Sequence, residues 1–170
     1  HTFAKSGEPF APYARDPETL ARQFAIPGTP GLEHRIGGLE AANGSGNISY
    51  DPDNHATMTE LRAAKIAGIA ADIPEQEVSQ GEDGGELAVV GWGSTFGACR
   101  EAVARCRERG LSVSHAQVRY MNPFPRNLGE VLRAYDTVLV PEMNLGQLAM
   151  LLRAKYLVDI KGINQVRGMP

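Results

Sequence analysis

With 170 residues and a formal net charge of −3, the chain is long enough to bury one core and carry an extension besides. Its 17 Lys and Arg residues are scattered along the sequence, which argues against a nucleic-acid footprint. No apolar run approaches the roughly 18 residues that span a bilayer, and the start lacks a signal-peptide pattern, so a cytoplasmic protein with neither nucleic-acid nor membrane partners is expected.

Residues 1–46 hold Pro9, Pro12, Pro17, Pro27 and Pro30 with Gly28, Gly31, Gly37 and Gly38. They read as an extended linker or arm that must lean on a neighbouring copy or domain, because so little apolar surface does not offset the entropy of ordering it. The one helical hint is Pro17 to Phe24, with Asp16 as N-cap and proline at the first position. Residues 47–72 read as a surface helix region: Asp51-Pro52 repeats the cap-and-proline signal, and Met58, Leu61, Ala64 and Ile69 give a thin apolar stripe ending near Ala71.

Residues 73–170 read as an α/β domain. Pro74 to Ser79 suits a polar antiparallel edge strand. Glu86 to Gly91 is a short apolar run of the kind buried on both faces of a parallel sheet, and it turns through Trp92-Gly93-Ser94 into a helix from Thr95 to Arg109. That helix should bury Phe96, Cys99, Ala102, Val103 and Cys106, and Gly110 ends it. Val113 to Tyr120 is the next strand, broken by Asn122-Pro123-Phe124-Pro125. Asn127 with Glu130 resembles a capping box before a short helix, and Asn144 with Gln147 repeats it before the helix Leu145 to Tyr156. Thr137 to Val140 lies between them, and Val158 to Val166 gives a last strand containing Gly162. Strands alternating with helices predict a three-layer α/β/α fold with a five-stranded, mostly parallel mixed sheet and one antiparallel edge strand. Glu86 to Gly91 is its central strand, with Val113 to Tyr120 on one side and Thr137 to Val140 on the other.

The crevice of such a sheet lies beyond its strand ends at the switch point, here between Trp92-Gly93-Ser94 and Glu142-Met143-Asn144. Trp92, Gly93, Ser94, Arg119, Glu142, Asn144, Gly146 and Gln147 are therefore the candidate interface or crevice residues. Gly91, Gly93 and Gly97 are spaced one residue too long for the dinucleotide fingerprint, and Arg119-Tyr120 stands where an acid would bind a ribose. A small nicotinamide-nucleotide-binding domain using the Gly91-x-Gly93 turn is the alternative reading. Asn144 and Gln147 are expected to cap their helix unaided, leaving Glu142 facing outward and dispensable for stability.

His1, His34, His55 and His115 have no metal-ligand spacing. Cys99 and Cys106, about 10 Å apart on one helix at 1.5 Å per residue, are beyond disulfide reach. No residue is marked as catalytic, and no metal site is expected.

Pro27-Gly28-Thr29-Pro30-Gly31, His34-Arg35-Ile36-Gly37-Gly38-Leu39-Glu40, Asn54-His55, Pro123-Phe124-Pro125 and Glu142-x-Asn144-x-Gly146-Gln147 together resemble the 2-oxoacid:ferredoxin oxidoreductases. They look most like the C-terminal part of a 2-oxoglutarate-type alpha subunit. The resemblance implies a domain similar to the transketolase C-terminal domain and singles out a motif loop with His34, Arg35, Gly37 and Gly38. It implies that the complete enzyme decarboxylates a 2-oxoacid on thiamine diphosphate with Mg, passes electrons through an iron-sulfur cluster to ferredoxin, and releases an acyl-CoA. The implied partners are the rest of the alpha subunit and a beta subunit. No cofactor is expected on this chain, which starts at His1 and ends at Gly168-Met169-Pro170 and reads as a piece of a longer protein. Its implied part is non-catalytic: subunit assembly and shaping of the active-site approach.

Overall fold

Leu87-Ala88-Val89-Val90 carries apolar side chains to both sides of the backbone, and a strand of that kind is stable only with a layer on each face. In the computed structural model, which describes residues 2–168 and so leaves His1, Met169 and Pro170 outside, this run is the middle of the sheet. Two units divide the chain, one ending at Ile69 and the other beginning at Ala70.

The second unit runs β1 (Val78–Gln80), β2 (Gly85–Trp92), α2 (Phe96–Glu108), β3 (Val113–Val118), α3 (Leu128–Arg133), β4 (Tyr135–Glu142), α4 (Gln147–Tyr156) and β5 (Ile160–Asn164). Strand order is β1-β3-β2-β4-β5. All neighbours are parallel except β1, which pairs antiparallel with β3 at the edge. This is the expected five-stranded mixed sheet in its expected order.

Alternation along the strands separates the two faces. Ala88, Val90, Val138, Val140 and Ile160 point to the side covered by Leu128 and Leu132 of α3 and by Leu148, Ala149 and Leu152 of α4, forming the main core. Val89 and Val113 turn to the other side and meet Cys99 and Val103 of α2, with Leu87, Leu139 and Cys106 at the margin. Both cysteines are free. Ala102, expected in this contact, is exposed, because α2 alone covers its side of the sheet and residue 102 turns to the rim of the groove it leaves open.

Side-chain clasps pin the edge strand. Asn127 does not form the capping box expected with Glu130. Its Oδ1 instead accepts from Gln76 N–H (2.7 Å) and its Nδ2 donates to Gln76 O (2.9 Å), fixing the chain just before β1. Pairing therefore begins at Val78 rather than Pro74. Gly81 then turns the chain with φ +96°, and a Cβ there would lie 2.8 Å from the Ser114 Cα, so only glycine fits. Likewise β3 stops at Val118 and β5 covers only Ile160–Asn164, shorter than the alternation predicted.

In the first unit, residues 2–50 form turns and isolated bridges, joining Phe3 with Phe24, Arg15 with Arg22, Tyr13 with Gly44 and Ala41 with Ile48. The helix expected over Pro17–Phe24 is absent. Asp16 does accept from the amides of Glu18 (3.1 Å) and Thr19 (2.8 Å), but Leu20 follows with φ 54° and the chain turns back to bridge Arg22 with Arg15. The cap closes one turn and stops. By contrast α1 (Pro52–Gly68) forms as expected, with Asp51 Oδ1 accepting from Asp53 N–H at 3.0 Å, and Met58 is its one buried residue.

His115 of β3 is fully buried. Ser79 Oγ lies 2.8 Å from its Nδ1, while Nε2 faces the Gln117 amide without a well-formed hydrogen bond. Burial first, then the Arg100 guanidinium, lowers its pKa below the ordinary 6.5, with Gln117 opposing. The fold therefore binds fewer protons here than the unfolded chain does. Stability from neutral His115 is complete above about pH 6.5 and is lost as pH falls below it. The urea midpoint should drop between about pH 7.5 and 5.5, and should drop less in His115→Gln, each protein being referred to its own value at the higher pH. Equal drops in the two proteins would remove His115 as the cause.

Candidate functional site

The connection from β2 through α2 to β3 runs over one face of the sheet, and that from β3 through α3 to β4 over the other. Neighbouring β2 and β4 thus flank the switch point. Trp92 continues the face of Ala88 and Val90, and Glu142 continues that of Val138 and Val140. The register that pairs Ala88 with Val138 also brings the two strand ends level.

At the β2 end the chain enters a 3₁₀ turn, Gly93–Thr95. Thr95 closes it: the hydroxyl donates to Trp92 O (2.8 Å) and accepts from Trp92 N–H (3.2 Å). Gly93 sits at φ +56° with open space around it, so the backbone angle, not crowding, calls for glycine. Gly91 is the reverse case, since a Cβ there would lie 2.6 Å from Gln117 Oε1.

At the β4 end Asn144 Oδ1 accepts from Gly146 N–H (2.7 Å) and Gln147 N–H (3.0 Å). Gly146, at φ +92° and tight against Asn164 of β5, turns the chain into α4. Asn144 thus supplies its half of the expected cap, but the Gln147 side chain forms no hydrogen bond among the described residues. Two further helix amides, Leu148 N–H and Ala149 N–H, lie in the core and need an acceptor. Glu142 provides it. Oε1 accepts from Leu148 N–H (2.9 Å) and Oε2 from Ala149 N–H (3.1 Å). Oε1 also accepts from Trp92 Nε1 (3.2 Å) and Asn144 Nδ2 (3.1 Å).

Glu142 is only 3% exposed, which corrects the expectation that it faces outward. The asparagine satisfies only the loop-proximal amides, and the pleat sends residue 142 to the α4 side of the sheet. A carboxylate at a helix N-terminus is favoured by the peptide dipoles and by charge-assisted bonds. It also fills the place where such a helix would receive a phosphate. The crevice is closed by the chain's own side chains, which gives the nucleotide-binding alternative no support.

The other candidates fall elsewhere. Ser94 and Gln147 are exposed. Arg119 is exposed just past β3, on the far side of β2 from Glu142, where it lines a hollow with Glu75, Glu77 and Tyr120. His34, Arg35, Gly37 and Gly38 belong to the first unit, all exposed. There His34 Nδ1 donates to Leu32 O (2.8 Å) and its ring meets Phe10 edge-on at 5.3 Å. Among the described residues no group of three or more His, Cys, Asp or Glu is placed to hold a metal ion.

Residues 85–169, half of the chain, match the family described as pyruvate:ferredoxin oxidoreductase core domain II. The chain belongs to that family. It is 64% identical over 169 residues to the 2-oxoglutarate oxidoreductase subunit KorA of Mycobacterium tuberculosis, covering 99% of this chain and 26% of that subunit. It is 38% identical over 130 residues to subunit alpha of 2-oxoacid:ferredoxin oxidoreductase 2 of Aeropyrum pernix, covering 74% of this chain and 20% of that subunit. The 2-oxoglutarate:ferredoxin oxidoreductase of Magnetococcus marinus, solved with 2-oxoglutarate, coenzyme A and succinyl-CoA bound, superposes with a TM-score of 0.87 at 27% identity, over 99% of this chain and 30% of that one. The chain spans about a quarter of the length of the curated relatives named here. Core domain II is here the C-terminal domain of a 2-oxoglutarate-type alpha subunit, with a transketolase C-terminal-like fold.

Removing the carboxylate would strand Leu148 N–H, Ala149 N–H and Trp92 Nε1 together. At about 1–3 kcal/mol for each unsatisfied buried group, with partial relaxation, Glu142→Ala should cost the core domain at least about 3 kcal/mol in urea unfolding. Trp92 is the single tryptophan, so its emission should also shift to the red as the indole loosens. An unchanged midpoint with unchanged emission would restore the outward-facing Glu142.

Proposed function

We propose that this chain serves a 2-oxoglutarate:ferredoxin oxidoreductase as a structural, non-catalytic part of its alpha subunit, holding the assembly together and shaping the approach to the active site. The filled switch-point crevice carries this reading. The position at which an open α/β sheet takes its ligand is occupied by Glu142, bonded to Trp92 and to α4. What remains at the strand ends is a rigid surface made of Ser94, Gln147 and the edge of Trp92, suited to contact with other parts of an enzyme.

The complete protein, in this proposal, oxidatively decarboxylates 2-oxoglutarate to an acyl-CoA. Thiamine diphosphate with Mg²⁺ supplies the carbanion chemistry, an iron-sulfur cluster carries electrons to ferredoxin, and a beta subunit joins the alpha subunit. Similarity to the Mycobacterium subunit and to the Magnetococcus enzyme supports it. The residues of this chain do not fit those groups. The described side chains form no metal-ligand cluster, and the two cysteines both lie on α2, too few for an iron-sulfur site. No step of the reaction is assigned to them.

Two measurements test the proposal. Removing residues 70–170 from the complete alpha subunit should abolish co-purification with the beta subunit and, with it, turnover. The isolated chain titrated with thiamine diphosphate and Mg²⁺ should give no binding heat. Full assembly and rate in the truncated enzyme would refute the structural role, and micromolar binding by the isolated chain would refute the non-catalytic one.

A further inference from the structure

The first unit lacks a core of its own. Both hydrophobic clusters are drawn from residues beyond 70. Within residues 2–69 the buried apolar side chains are Leu32, Ala41 and Met58. Burying three such groups yields about 1.5–3 kcal/mol for the larger ones, whereas ordering each residue costs about 1 kcal/mol or more. Meanwhile Leu39 is 59% exposed, and Ile36 and Tyr50 are each 88% exposed. A segment with this balance holds one shape only when another surface completes it.

The charges say what that surface is like. A hollow of about 530 Å³ opens between the turns around Phe10, Arg22 and Arg35 and the last turn of α1. Arg22, Arg35, Lys65 and His34 line it together with the rings of Phe10 and Tyr13, and no Asp or Glu does. Arg22 lies over the Tyr13 ring at 4.3 Å, and none of Arg22, Arg35 and Lys65 is in an ion pair among the described residues. Beside the hollow, Arg15 Nε is buried without a partner. Burial, then Arg22 and Arg62, lowers the pKa of that guanidinium, a sign of crowded positive charge. This is segregation rather than a basic segment, because residues 1–69 hold eight Asp and Glu against six Lys and Arg.

We propose that the hollow bounded by Arg22, Arg35 and Lys65, with the apolar side chains beside it, docks onto a protein surface that presents carboxylates among apolar groups. That surface is supplied by the part of the alpha subunit outside this chain. The inference rests on the structural role proposed above and adds the anchors and the partner's charge. Unpaired cations select an acidic counterpart. The exposed Ile36, Leu39 and Tyr50 require an area that a small anion does not cover. The relatives provide the occupant, since about three quarters of their length lies outside the matched span, and tethering keeps that surface at high effective concentration.

The test uses the complete alpha subunit, alone and with its beta partner. Zero-length carbodiimide coupling followed by mass spectrometry should join Lys65 to an Asp or Glu of the alpha subunit outside this chain. Amide exchange over residues 10–36 should be slow in the complete subunit. It should quicken at least about tenfold in Arg22→Glu/Arg35→Glu, remain slow in Arg22→Lys/Arg35→Lys, and be unmoved by Arg126→Glu at an exposed position elsewhere. Coupling of Lys65 confined to this chain or directed to the beta subunit, or exchange that ignores the charge reversal, overturns the docking. So does protection that appears only on adding inorganic pyrophosphate, which would make the hollow a small-anion site. An alpha subunit that shows the coupling and the protection yet never binds beta would refute the assembly role and leave the docking standing.

Discussion

Two amide groups at the start of α4 point into a core that no water reaches, and the fold depends on finding an acceptor for them. Glu142 meets that need from the end of the neighbouring strand, and the same carboxylate fastens the indole of Trp92. One group therefore sets the angle at which α4 leaves β4, the position of the β2 turn, and the closure between them. A side chain with a single acceptor oxygen could not reach both amides and the indole. The geometry that invites a ligand in related sheets is consumed here in holding the sheet and its helix together.

The sheet was legible because burial leaves a direct trace in composition. A strand covered on both faces cannot alternate, and Leu87 to Val90 does not; an edge strand must carry polar groups, and the stretch before Ser79 does. The lone layer on the α2 side was not legible, because the periodicity of α2 describes its own stripe and not how many helices share the face. Asn127 misled for a related reason: an asparagine three residues before a glutamate suits a cap, but Gln76, far away in sequence, offered a full peptide group to bind.

The site was half legible. The chain order placed Trp92 and Glu142 on opposite lips of one crevice, and they meet there. Counting by twos from Val138 and Val140 would also have shown that residue 142 faces α4. A carboxylate at the end of a strand is usually solvated, and that prior outweighed the parity. For the first unit, a cap-and-proline signal predicted α1 correctly and Pro17–Phe24 incorrectly. The two differ in the residues after the cap: α1 finds burial for Met58, while the turn after Asp16 has no apolar stripe to continue it.

The clasp between Asn127 and Gln76 has a consequence for the sheet as a polymer. A carboxamide carries the same donor and acceptor as a peptide unit, so Asn127 acts as a one-residue strand laid beside the chain. The backbone entering β1 therefore presents no free pair of groups to an incoming strand. An open sheet can grow by adding edges from other molecules, and on this side growth is terminated from within by a single amide side chain, before any solvent-facing charge comes into play.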